Sequence, residues 1–237
     1  MGPRLGRLLF AYSPDSVALH RMSDSTQNFD RLARCYRTLE YLAFGRDLER
    51  ARFSLLPHLK ECRSILILGE GDGRCLEKLV AIAPDVQIDC LDLSAAMLAR
   101  AEECLGATPH HVTFQQANIL ATELPVQNYD AVITCFFLDC FTNQQVSEII
   151  TKISQSLRPN ALWLWADFAL PDYGFSRVRA KIWLAILYAF FRWQTKLPAR
   201  ALPESELLIQ KHGYQKVAET TYQWGLIRNS VYRITAA

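Results

Sequence analysis

The chain lacks several features that would fix its class at once. It has no apolar run near the ~20 residues that a membrane span requires. The longest, Ile182 to Phe191, is ten residues bracketed by Lys181 and Arg192. Charge of one sign is also missing: 26 Lys plus Arg face 24 Asp plus Glu, and no basic run or tail is present. No nucleic-acid partner is therefore expected. The seven cysteines form no C-x-x-C pair, are odd in number and mostly sit inside apolar runs. That pattern argues against a disulfide scaffold or a zinc ribbon and for reduced, buried thiols in a cytoplasmic protein. The five histidines are scattered without ligand spacing, so no metal is predicted. The opening MGPRLGRLLFAYSPDS has basic residues and a short apolar patch but no small-residue cleavage site. It is not read as a signal peptide.

What is present is a chain of 237 residues, 50% hydrophobic and 21% charged, with enough apolar material for a sizeable core. Residues 1–27 read as a flexible lead-in. From Phe29, apolar residues at three- and four-residue steps (Leu32, Cys35, Tyr36, Leu39, Leu42) predict a helix ending near Gly45, and a second follows at about 47–58. The period then changes. Ser64 to Leu68 is a short unbroken apolar run, as in a strand buried on both faces. Helices are predicted after Gly73, at 94–104 and at 143–157, and strands at 86–92, 111–116, 129–135 and 161–167. Thr142 with Gln145 has the form of a capping box. Strands alternating with helices of this length imply a parallel sheet covered on both faces. At the C-terminal end a helix at 203–212, with Pro203 at its first position, precedes strands at 214–222 and 226–234. Only Gln223, Trp224 and Gly225 separate these two strands, so they must pair antiparallel.

Gly69-Glu70-Gly71-Asp72-Gly73 closes the first strand and opens a helix. A glycine loop there lets the backbone turn sharply beside a ligand, and the helix N-terminus offers unpaired N–H groups. Asp92, nineteen residues after Gly73, ends the second strand, where a carboxylate can accept both hydroxyls of a ribose. A nicotinamide-binding G-x-G-x-x-G would need Gly or Ala at position 74, and this chain has Arg74. The closing hairpin is likewise foreign to a doubly wound dinucleotide domain.

From about Phe29 onward the chain resembles the class I S-adenosylmethionine (SAM)-dependent methyltransferases, the Rossmann-like seven-stranded family. ILILGEGDG is similar to the family's first motif and IDCLDLSAAMLARAEE to its second. QANIL is similar to its third, with Asn118 in place of the usual Asp, and NYDAVITCFFLDCF to its fourth. The resemblance implies an α/β fold: a mostly parallel seven-stranded sheet with a C-terminal antiparallel hairpin and an N-terminal helical cap. One domain is then expected over 28–237: the cap at 28–60, a SAM-binding core at 64–167, a lid-like helical segment at 175–200, and the last helix and hairpin at 203–237. It also implies SAM as cofactor and S-adenosylhomocysteine as product. Gly69, Gly71 and Gly73 would line the methionine part, with Glu70 near its amino group. Asp92 would hold the ribose, Leu93 and Met97 would pack on the adenine, and Asn118 and Ile119 would meet its edge. The backbone of Thr134, Cys135 and Phe136 would lie beside the sulfonium.

Methyl transfer from a sulfonium is an in-line displacement with an activated donor, so positioning and exclusion of water come first. A base is needed only for an acceptor that arrives protonated. Asp139 and Asp167, at the ends of the fourth and fifth strands, are candidates to orient or deprotonate an acceptor, and Tyr36 is a third catalytic candidate. Phe168 stands where a metal-dependent catechol-type relative would have Asn. No [DN]-P-P-[YF] and no Pro-Cys nucleophile follows the fourth strand, which disfavours acceptors in DNA and on glutamine. What remains is mainly a small molecule, apolar or aromatic, with lipids and proteins behind it. Tyr173, Arg177, Trp183 and Tyr188 are its candidate contacts, in the aromatic stretch 175–193 that is expected to close over the site against the N-terminal helices. Contact of that stretch with a membrane surface is the less favoured reading. The alternative functions are a SAM-using cyclase, lyase or aminopropyltransferase on the same fold, and a catalytically silent SAM-binding scaffold. The sequence leaves the oligomeric state open.

Overall fold

The computed structural model describes residues 44–106, 111–171, 173–195 and 201–234, with the backbone alone described for 190–195. The helix expected from Phe29 lies almost wholly outside the described residues, and Tyr36 with it. The first described helix is α1 (Asp47–Phe53). It stops earlier than its apolar spacing suggests, because Pro57 opens a separate one-turn helix at Leu56–Leu59.

Ser64 and four buried apolar residues make β1 (Ser64–Leu68), and burial on both sides places it at the centre of the sheet. It pairs in parallel with β2 (Gln87–Asp92) on one side and β4 (Tyr129–Cys135) on the other. Outside these lie β3 (Val112–Gln116) and β5 (Leu157–Phe168), also parallel. The hairpin β6 (Tyr214–Tyr222) and β7 (Ile227–Ile234) completes the sheet, with β7 antiparallel to both β5 and β6. The order is β3-β2-β1-β4-β5-β7-β6. Chain connections therefore reverse direction between β1 and β4, and crevices for ligands form at the carboxyl ends of strands at such a point.

Alternate residues of the same strands feed two cores. Ile65, Ile67, Cys90 and Ile133 pack with Cys75, Leu76 and Leu79 of α2 (Arg74–Ile82) and with Leu98 and Ala101 of α3 (Ala95–Leu105). Leu66, Leu68, Val132, Trp163 and Trp165 pack with Val146, Ile149, Ile150 and Ile153 of α4 (Asn143–Ser156). Thr142 and Gln145 form the reciprocal capping box expected at the start of α4. A third cluster joins Phe44, Leu48 and Ala51 to Phe168, Ala180 and Leu184. It sets α1 against α5 (Gly174–Thr195), the long helix that follows β5.

Two boundaries differ from the sequence reading. β5 begins at Leu157, but its pairing with β4 shifts register between Leu157 and Leu162. Arg158-Pro159-Asn160 fills that irregularity, with Asn160 in the left-handed region (φ 64). The last helix, α6, is Ser205–Lys211, so Pro203 is not its first residue. Asn143 Oδ1 accepts a hydrogen bond from the Glu204 backbone N–H at 2.9 Å, which holds Glu204 outside the helix as its cap. All six described cysteines are free thiols; Cys35 lies outside the described residues.

Candidate active site

The loop Gly69–Gly73 leaves β1 at the reversal point, and its three glycines all have positive φ, 71, 75 and 88. Their surroundings differ. A Cβ on Gly69 would lie 2.4 Å from the Phe137 ring, and one on Gly73 would lie 2.6 Å from the Ala101 Cα. These two glycines are required by packing, of the chain after β4 and of α2 on α3. A Cβ on Gly71 would meet nothing within 4 Å, so Gly71 alone borders open space.

The loop is fixed by its charges. Arg74 donates to Asp72 Oδ1 at 2.8 Å and to Glu49 Oε1 at 2.9 Å, which ties the loop to α1. This accounts for arginine where a dinucleotide fingerprint would place glycine. Glu70 is buried, and its carboxyl accepts from the Leu76 N–H at 2.9 Å in the first turn of α2. Burial raises its pKa to about 8 despite that hydrogen bond and the nearby Arg52. Arg52 is itself buried, and its guanidinium lies 4.9 Å from the centre of the Phe136 ring. Sequence reading missed this cation. The available signal was position: Arg52 falls four residues after Leu48 and four before Leu56, on the stripe that faces the core.

At the end of β2, Asp92 Oδ1 accepts from the Ser94 N–H at 2.9 Å. Ser94 in turn caps α3 by accepting from the Met97 N–H. The Asp92 carbonyl accepts from the Ala117 N–H, and Leu93 O accepts from the Gln116 side chain. The ends of β2 and β3 are thereby joined, with Leu93 half-buried and Met97 and Ile119 buried. Asn118 Oδ1 accepts from the Leu120 N–H at 3.1 Å. Its side-chain oxygen keeps a second lone pair and its amide nitrogen both donors, so a ligand edge there could be met by either. Lys152 of α4 donates to the carbonyls of Ile119, Leu120 and Thr122. This clamp on the loop was also not read from the sequence.

On the other side of the reversal point, Thr134 is fully buried and accepts from the Trp163 indole N–H at 2.8 Å, leaving only its backbone near any ligand. Cys135 is half-buried. Phe136 adopts φ 53, a conformation of about 1–2 kcal/mol cost for a residue with a side chain. Its ring lies 5.3 Å from Phe168. Asp139 and Asp167 lie next to each other: Asp167 accepts from the Asp139 N–H at 3.2 Å and from the Phe168 N–H at 2.9 Å. Burial, then repulsion from Asp139, holds the Asp167 carboxyl well above the usual range, and burial raises Asp139 too. Two such buried carboxyls, each felt by the other, favour a single negative charge between them near neutrality.

α5 lies across this edge. The Tyr188 hydroxyl donates to the Asp139 carbonyl at 3.0 Å, and Trp183 packs on Phe44 with ring centres 6.0 Å apart. Trp183 and Tyr188 are thus brought to the site. Arg177 donates to the Pro171 carbonyl at 2.9 Å and serves the start of the helix. Tyr173 is 82% exposed at that same end, outside the cluster around Trp183. Among the described residues no three His, Cys, Asp or Glu side chains converge as a metal site, and no helix is long and apolar enough to cross a membrane.

A family model described as a methyltransferase domain matches residues 65–160. An uncharacterized methyltransferase of Anoxybacillus flavithermus is 30% identical over 105 residues, 44% of this chain and 47% of that protein. The chain thus matches about half the length of this curated relative. Among solved structures, the Bradyrhizobium japonicum N-methyltransferase NodS in complex with S-adenosylhomocysteine superposes with a TM-score of 0.65 at 16% identity, covering 90% of this chain and 100% of that one. A Burkholderia thailandensis 1,6-didemethyltoxoflavin N1-methyltransferase, holding its acceptor and S-adenosylhomocysteine, gives 0.63 at 16% identity, covering 99% and 94%. The human N-acetylserotonin methyltransferase in complex with SAM gives 0.59 at 13% identity, covering 96% of this chain and 61% of that one. Residues 65–160 thus match a methyltransferase domain, and the described residues, with their strand order and closing hairpin, have the seven-stranded fold of SAM-dependent methyltransferases.

Proposed function

We propose that the protein transfers the methyl group of SAM to a small, apolar or aromatic molecule. The observation that carries this reading is the position of α5. Its inner face packs on Phe44 and Phe168 at the end of β5, and Tyr188 reaches the Asp139 carbonyl past the end of β4. The methionine part of SAM lies along Gly69 and Gly71, its ammonium by Glu70 and its carboxylate toward Arg52. Asp92 holds the ribose, and Leu93, Met97, Asn118 and Ile119 enclose the adenine. The sulfonium sits by the backbone of Cys135 and Phe136, with the Phe136 ring facing Phe168.

Chemistry follows from that arrangement. The acceptor occupies the space under Trp183 and Tyr188, where apolar walls exclude water and hold its attacking atom in line with the methyl group. When that atom arrives bearing a proton, the Asp139–Asp167 pair, with one charge between two carboxyls, takes it. The apolar walls, and Cys135-Phe136-Phe137-Leu138 where DNA- and glutamine-methylating enzymes carry [DN]-P-P-[YF] or Pro-Cys, favour a small acceptor. The 1,6-didemethyltoxoflavin N1-methyltransferase named above, a small-molecule enzyme on the same fold, supports this class.

The test is product analysis by mass spectrometry after incubation with SAM and a metabolite extract. Methylated product with stoichiometric S-adenosylhomocysteine is the expected result. Cyclised or cleaved SAM without a methylated product would assign a different SAM chemistry, and unchanged SAM would refute turnover. With the acceptor known, Trp183→Ala should raise its KM about tenfold or more while SAM affinity changes little, since burying a large aromatic contributes ~2–3 kcal/mol.

A further inference from the structure

α5 has two apolar faces. Ala180 and Leu184 are buried inward, with Trp183, Leu187 and Tyr188 half-buried beside them. On the opposite side Phe175, Val178, Ile182 and Ile186 recur at steps of three and four residues, exposed by 82, 56, 57 and 54%. Isolated exposed apolar residues are ordinary on protein surfaces, but a continuous stripe of this kind marks an interaction surface. The helix sequence contains Arg177, Arg179, Lys181 and Arg192 and no acidic residue. At the same end the β6–β7 turn carries Trp224, 73% exposed and held in the left-handed region (φ 53). The Arg179 guanidinium lies 4.2 Å from the centre of the Trp224 ring and donates to the Gln223 carbonyl at 2.9 Å. Helix and hairpin tip thus form one surface.

We infer that this surface docks on an anionic lipid bilayer. The helix lies in the plane of the interface, its stripe sinks to the acyl boundary, Trp224 sits at headgroup level, and Lys181 meets lipid phosphates. An apolar stripe on a helix whose own charges are all cations is complementary to such a surface. The charge pattern disfavours a second copy. A two-fold pairing of the stripe would set Lys181 near its own mate with no acid on either helix to answer it.

The experiment is flotation of the full chain with vesicles of phosphatidylcholine, with and without phosphatidylserine. The wild type should float with the serine-containing vesicles and lose affinity as salt is raised. The double variant F175S/I182S should bind about tenfold or more weakly, through loss of two inserted apolar side chains. Both positions are exposed, so its melting temperature should match the wild type. Wild-type protein that ignores both vesicles, or a variant that floats equally well, would overturn the proposal. So would a wild-type dimer in sedimentation velocity that the two substitutions dissociate. Flotation does not rest on the methyl-transfer reading: binding of S-adenosylhomocysteine, measured on the same samples, fails or succeeds independently of it.

Discussion

Gly71 and Gly73 share a motif, yet alanine at each should do opposite things. Both have positive φ, 75 and 88, so each substitution costs about 1–2 kcal/mol in backbone strain. At Gly73 the new methyl would also lie 2.6 Å from the Ala101 Cα and 2.9 Å from the Cys104 Cβ. Backbone of α3 cannot swing aside as a flexible side chain does, so overpacking adds a further ~1–3 kcal/mol. At Gly71 the methyl meets no protein atom within 4 Å, so only the strain remains. The open space it enters is the space assigned to the cofactor. Gly71→Ala should therefore weaken S-adenosylhomocysteine by ~1–3 kcal/mol of crowding, roughly 5- to 150-fold. Urea denaturation and calorimetric titration of both variants supply the two measurements. Gly73→Ala should be the less stable by at least ~1 kcal/mol, and Gly71→Ala the weaker binder per unit of lost stability. Equal stabilities, or wild-type affinity in Gly71→Ala, would refute the division of labour.

Two further outcomes follow from the charges. Asp92→Ala removes a carboxylate whose hydrogen bonds to ribose hydroxyls contribute ~1.5–3 kcal/mol each, so affinity for SAM in calorimetry should fall at least tenfold while the melting curve keeps its shape. Glu70, with a pKa raised to about 8, is mostly protonated at neutral pH in the unliganded protein. The folded form thus holds a proton that the unfolded form releases near pH 4.5, and its contribution to stability, full below that pH, is lost as pH rises toward 8. A ligand ammonium beside it favours the carboxylate, so SAM binding near pH 7 should release protons, seen as buffer-dependent binding enthalpy, and Glu70→Gln should abolish that dependence.

The strands were legible because each property that defines them is local. Ile65 to Leu68 is apolar without a break, and the short link between Tyr222 and Ile227 forces an antiparallel pair. The glycine loop and Asp92 were legible for the same reason, since spacing alone places them at adjacent strand ends. What was not legible depends on partners distant in sequence. The boundary at Glu204 is set by Asn143, sixty-one residues away. The burial of Arg52 depends on Phe136 and Glu70, and the role of Lys152 on three carbonyls of a loop it does not adjoin. The two sides of α5 could not be told apart by period because apolar residues surround much of the helix. Only contact with Phe44 and Phe168 makes one side inner. Tyr36, expected to face that helix, lies outside the described residues.

The central claim is that the open space at the carboxyl edge between β1 and β4 is a SAM site. Calorimetric titration of the purified chain with S-adenosylhomocysteine, and separately with NAD, tests it most directly. The account predicts saturable 1:1 binding of S-adenosylhomocysteine, with a melting temperature that rises with ligand concentration as binding to the native state requires, and no heat from NAD. Tight binding of NAD with none of S-adenosylhomocysteine would contradict it.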